Sequence, residues 1–150
     1  MNDDAERNKI KLTSTLTYAG AIPFVLAAFC MYWDFERLPI IGDVQKIIDL
    51  YGLVIVVFIA GSHWGVSVNL FEKQRIFLMI ISNLFTLIAL VSYIWLISIP
   101  FQLSLIIILL MLLVIDYWLY FKGINSQNYV LTRLIVSIIV IISLSFVYSS

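Results

Sequence analysis

The sequence predicts an all-α membrane protein, a bundle of about five transmembrane helices with its N-terminus inside and its C-terminus outside. Three observations carry this reading. The chain is 63% hydrophobic and only 12% charged, with a mean hydropathy of +1.06, whereas soluble domains are about 45–50% apolar and about 25% charged. Its apolar residues gather into five stretches of about 20, the length a helix needs to cross roughly 30 Å of hydrocarbon with its backbone groups satisfied. Lysine and arginine cluster in alternate connections.

The first span is expected at about 13–33. The apolar run after Lys11 is longer than the core of a cleaved signal peptide and has no small-x-small cleavage site before a hydrophilic domain, so it reads as a retained helix. Leu26 to Cys30 resembles a lipoprotein box only faintly, since Phe29 is too large for the position before a modified cysteine. Gly20 and Pro23 are expected to kink this helix near mid-membrane and free a backbone carbonyl for a partner. The remaining spans are expected at about 48–71, 76–99, 101–121 and 129–148, the fourth opened by Pro100, because proline suits a first helical turn. Links this short leave no room for a second domain.

Arg7, Lys9, Lys11, Lys73, Arg75 and Lys122, with Arg133 just inside the fifth span, fall on one side, and only Arg37 and Lys46 on the other. The basic side is the cytoplasmic one. Asp3, Asp4 and Glu6 argue against a mitochondrial leader and for a bacterial inner membrane. Tyr32, Trp33, Tyr51, Trp95, Tyr120 and Tyr148 fall near span ends, as interfacial anchors do. The segment 34–49 mixes apolar and charged residues, and reads either as a short interfacial helix or as an ordered loop.

Composition also excludes functions. Nine basic and nine acidic residues cancel, so no positive field gathers nucleic acid. The single cysteine, Cys30, rules out an internal disulfide and any zinc site built on paired thiolates. P-loop, nucleophile-elbow, HExxH, haem-attachment and dinucleotide motifs are all missing.

Polar groups inside the spans are expensive, so each is a candidate for function. In the second span Gly61 and Gly65 form a GxxxG step extended by Asn69, a face smooth enough for close helix packing. His63 and Ser67 lie about 200° around the wheel from Gly61, which predicts a helix contacted on two sides and central to the bundle. His63, the only histidine, can hydrogen-bond across helices, ligate haem or a metal, or relay a proton. A lone histidine is a weak metal signal, and a structural bond is the plainer expectation. Trp64 beside it fits packing or anchoring, or the cap of a ligand pocket.

Asp116 precedes Lys122 by six residues and Arg133 follows Asn128 by five, so a hairpin through KGINSQN brings both to one depth. An ion pair there neutralises two costly charges, and Tyr120 and Tyr129 stand where they can add hydrogen bonds. The pair reads either as a lock on the hairpin or, with His63, as the lining of one cytoplasm-facing polar cavity.

YAGAIPF at 18–24, YG at 51–52, GSHWG at 61–65 and the spacing of Tyr129 and Arg133 resemble the bacterial family filed as domain of unknown function 3429, similar in turn to the eukaryotic transmembrane protein 69 of mitochondria. The resemblance covers nearly the whole chain. It implies a small multi-helix inner-membrane protein and brings no catalytic role for His63 or Arg133. Three functions remain open. The first is a non-enzymatic accessory or assembly subunit of a larger membrane complex; the second is a pocket near His63 for haem, quinone or another lipophile; the third is proton or ion passage through a homo-oligomer.

Overall fold

A computed structural model of the protein describes residues 3–39, 42–95 and 100–149, with side chains from residue 11 onward. Six helices are described: α1 (Asp3–Ala19), α2 (Ile22–Tyr32), α3 (Val44–Ser67), α4 (Glu72–Trp95), α5 (Phe101–Phe121) and α6 (Gln127–Ser149). The stretch Lys11–Tyr32, which joins most of α1 to α2, and each of α3 to α6 are long and apolar enough to cross a membrane, five spans among the described residues. The chain is an integral membrane protein.

The first span is broken where glycine and proline predict. Pro23 sits in the first turn of α2 and has no N–H to give to the preceding helix. Phe24 N turns to Ala21 O, so the Gly20 carbonyl is left over, and the Tyr51 hydroxyl of α3 donates to it at 3.0 Å. Tyr51 is therefore a cross-helix strut and not an interfacial anchor. Below the break, α1 continues back to Asp3, ten residues earlier than the apolar pattern reaches. Polar residues extend a helix past its apolar part when propensity allows, and acids suit its first turn.

Segment 34–43 is neither an interfacial helix nor irregular throughout: Arg37–Leu38 pairs antiparallel with Gly42–Asp43, with residues 40–41 outside the described set. Pro39 and a positive φ of 98° at Gly42 oppose a helix here. Asp43 then caps α3, its Oδ1 accepting from Lys46 N at 3.1 Å. That cap starts α3 four residues before the expected position, and α3 ends four residues early as well. The charged run Glu72–Arg75 is helical, so α4 also begins before the expected 76; the expected end, at 96–99, lies outside the described residues. Gly123, at φ 72°, turns α5 into α6, while Ile124 N and Asn125 N both reach back to Leu119 O.

The break between α1 and α2 lies along α3 and α6; α3 also packs on α4 and α5, and α5 on α4 and α6. The α3–α5 contact has a regular register. Gln102 Nε2 donates to Asp49 at 2.6 Å, a methyl of Leu105 fills the space where Gly52 lacks a Cβ, and His63 meets Asp116, each pair 53 residues apart. Positions 49, 52, 56, 59 and 63 face 102, 105, 109, 112 and 116, alternating steps of three and four. This is the heptad spacing of a parallel left-handed helix pair. Polar pairs close both ends of the seam, about 21 Å apart at 1.5 Å per residue. Buried Val56, Ile59, Leu105, Leu109 and Leu112 fill it between them.

α5 contributes more buried residues than any other helix, α3 included, so α5 and not α3 is the most enclosed element. Outward-facing Val54, Ile107 and Ile142 belong to the apolar surface that meets lipid.

Candidate functional site

Three helices deliver the ionisable groups to one end of the bundle. His63 stands one turn before the end of α3, Asp116 just over one turn before the end of α5, and Arg133 less than two turns into α6. Asp116 is the shared acceptor. His63 Nε2 lies 2.8 Å from its Oδ1, Arg133 Nε donates to its Oδ2 at 3.0 Å, and the Tyr129 hydroxyl donates to Oδ1 at 3.4 Å. Asn125 Nδ2 holds the Asp116 carbonyl at 3.2 Å and so ties the turn to the cluster.

All three ionisable residues are removed from the surface: Asp116 is 0% exposed, His63 1% and Arg133 7%. A carboxylate accepting from His63 Nε2 selects the tautomer protonated there, and Asp116 with Arg133 then sums to zero charge. Two buried polar atoms have no partner among the described residues, His63 Nδ1 and Arg133 Nη2.

Arg133 and Tyr129 also line a cavity of about 460 Å³ between the broken first span, α3 and α6. Its polar wall holds Thr13, Thr17, Ser62 and Ser137, and its apolar part is lined by residues such as Phe24, Phe58 and Val140. A second depression, of about 620 Å³, lies along the outer groove of α5 and α6 against Tyr117, Tyr120 and Leu131 and touches none of the ionisable cluster. Of the two, only the first is lined by members of the ionisable cluster.

The family model described as a protein of unknown function, DUF3429, matches residues 10–149. The chain belongs to this family. The matched span takes in all five membrane-crossing stretches and the whole His63–Asp116–Arg133 cluster. No curated protein and no solved structure matches the chain.

The structure thus joins His63, Asp116, Arg133 and Tyr129 of the expected cluster and separates the others from it. Trp64, about 100° around α3 from His63, is 43% exposed and lines neither cavity. Ser67 is buried, yet its hydroxyl donates to the Trp64 carbonyl. Tyr120 stacks on Tyr117 instead of reaching Asp116. Gly61, Gly65 and Asn69 are exposed, and a Cβ built on either glycine meets nothing within 4 Å. Among the described residues, therefore, nothing packs closely against the two glycines of the GxxxG step. The close approach belongs to Gly52.

Gly52, Gln102, Asp49 and Asn125 are the residues that motif reading misses. Asp49 and Gln102 were detectable from a repeated 14-residue step, Asp49 to His63 and Gln102 to Asp116, on two spans. Among the described residues no three His, Cys, Asp or Glu side chains gather as metal ligands. His63 lines neither cavity, and its Nε2 is committed to Asp116. Only the enclosed Nδ1 is left for an iron or a metal.

Proposed function

We propose that this membrane protein binds a lipophilic small molecule in the cavity between its first span, α3 and α6, with Arg133 as the polar anchor. One observation carries the reading: a buried guanidinium nitrogen without a partner belongs to a residue that lines a cavity of about 460 Å³. Ligand sites are mostly apolar cavities of about 300–1,000 Å³ with a few convergent polar groups, and this cavity fits that description. Asp116, His63 and Tyr129 orient the anchor from behind, so its free edge is fixed before any ligand arrives.

The test uses full-length protein extracted in mild detergent and an inventory of co-purifying small molecules by mass spectrometry. Thr17→Phe, which fills the cavity from α1 without touching the ionisable cluster, should lose a molecule that wild type carries. A wild-type protein that brings down nothing beyond bulk lipid would overturn the reading.

A second reading, an accessory subunit of a larger complex or a homo-oligomer, is favoured by the open Gly61–Gly65 ridge, which a helix outside this chain can approach closely. Gly61→Ile should then strip a partner from the protein in mild detergent, and an unchanged size on native gels would argue against it. Proton passage along the α3–α5 seam of one chain has less in its favour, because apolar layers separate its polar ends. The lysine and arginine distribution supports a bacterial inner membrane with the N-terminus and the cluster on the cytoplasmic side. The first-span and GSHWG motifs support kinship with the mitochondrial transmembrane protein 69.

A further inference from the structure

Three of the cavity's hydroxyl groups already spend their hydrogens elsewhere. Thr17 gives its hydroxyl proton to Thr13 O at 2.8 Å, and Ser62 gives its own to Ile59 O at 2.7 Å. Both oxygens therefore offer the cavity lone pairs and no hydrogen. The Tyr129 hydroxyl points its hydrogen at Asp116. A buried donor with no partner among the described residues is Nη2 of Arg133, a residue that lines the cavity, with Ser137 one turn further along the same face of α6. A ligand group that reaches this edge must accept a hydrogen bond.

Its charge is decided by what stands behind the arginine. Asp116 already neutralises the guanidinium at 3.0 Å, and among the described residues no carboxylate lines the cavity. A carboxylate or phosphate entering would leave one uncompensated negative charge in a low-dielectric site, which is costly. An amine would set a second cation beside the first and leave Nη2 unpartnered. An uncharged acceptor satisfies Nη2 and disturbs no balance.

Shape adds the rest. Along α6 the lining runs from Tyr129 to Val140, about 16 Å at 1.5 Å per residue, with the polar groups concentrated toward Tyr129 and apolar Phe24 and Val140 at the other extreme. We infer that the cavity takes an uncharged carbonyl lipophile, of the quinone or long-chain ketone class, whose carbonyl oxygen accepts from Arg133 Nη2 while its tail lies toward Phe24 and Val140. This assignment rests on the cavity being a binding site, and it names what that site selects.

The experiment measures binding to the full-length protein in phosphatidylcholine nanodiscs, corrected for partition into empty discs. The probes are a decyl-substituted benzoquinone, 2-dodecanone, dodecanoate and dodecylamine. At least one of the two carbonyl probes should bind about tenfold or more tighter than dodecanoate, with dodecylamine at the empty-disc level. The quinone against the ketone tells a ring-shaped head from a linear one. Thr17→Phe should weaken the favoured carbonyl probe by about tenfold or more. Asp116→Asn removes the neutralising charge and should turn the preference toward dodecanoate; should that variant not fold, the wild-type panel decides alone. Dodecanoate binding as tightly as both carbonyl probes overturns the ligand class and leaves the cavity a site. All four probes at the empty-disc level, or a favoured probe that Thr17→Phe does not weaken, overturns the cavity reading as well.

Discussion

Replacing Asp116 by leucine should be among the most damaging single changes in the chain. The carboxylate accepts from His63 at 2.8 Å and from Arg133 at 3.0 Å while fully buried. Hydrogen bonds between membrane helices average about 0.6 kcal/mol and reach about 1.7, because the separated helices also find partners, so the two bonds together account for about 1–3 kcal/mol. The larger part is the guanidinium left charged and enclosed: removing one member of a buried pair costs about 3–5 kcal/mol in all. Asp116→Leu is therefore expected to lower stability by about 3–5 kcal/mol. Adding Arg133→Met removes the stranded charge and should recover most of it, to within about 1 kcal/mol of wild type, since an apolar pair of similar volume replaces a buried ion pair at little net cost. The assay is reversible SDS unfolding in mixed micelles followed by tryptophan fluorescence, with all four corners of the double-mutant cycle. A loss for Asp116→Leu of under about 0.5 kcal/mol, or a double variant as unstable as the sum of the singles, would refute the argument that charge neutralisation dominates this cluster.

Gly52→Ala should cost about 1–3 kcal/mol, because the new methyl overlaps the Leu105 side chain, and Leu105→Ala in the same chain should relieve the clash; the same SDS titration reads both. Tyr51→Phe removes the bond to the Gly20 carbonyl and should cost about 1 kcal/mol, with backbone amide exchange rising around residues 20–24. Gly61→Ala and Gly65→Ala meet nothing among the described residues, so stability in detergent should change by less than about 0.5 kcal/mol, and a large loss would mean that the ridge is covered.

The spans were legible because lipid imposes a length and a polarity that soluble cores do not. Their limits were less so. Hydropathy follows the apolar stretch, whereas α3 starts at an aspartate cap and α4 starts within a charged run, both of which hydropathy scores as loop. The meeting of Asp116 and Arg133 was readable since a short hairpin fixes relative depth, and His63 joined them by the same depth argument. Orientation around each helix was harder. The wheel put Gly61 and His63 on opposite faces, which the structure keeps, but it does not say which faces find a neighbour. Trp64 and Gly61 turned outward, and the glycine that does the packing, Gly52, carried no GxxxG signature. The cavity's lining was not legible, because it combines residues of both halves of the broken first span with α3 and α6, and Arg133 reaches it while His63 does not.

The pairing of Asp116 with Arg133 also bears on how the chain enters the bilayer. Placed singly at the centre of an inserting helix, each charge is charged about 2.5–3.5 kcal/mol by the insertion machinery. They lie only 17 residues apart, on either side of a tight turn. If α5 and α6 pass sideways into lipid as one hairpin, the opposite charges arrive already joined and the cost is met once, jointly, instead of twice. His63, 53 residues before Asp116, is made earlier on α3, so the α5–α6 hairpin brings the carboxylate that completes the imidazole's hydrogen bond.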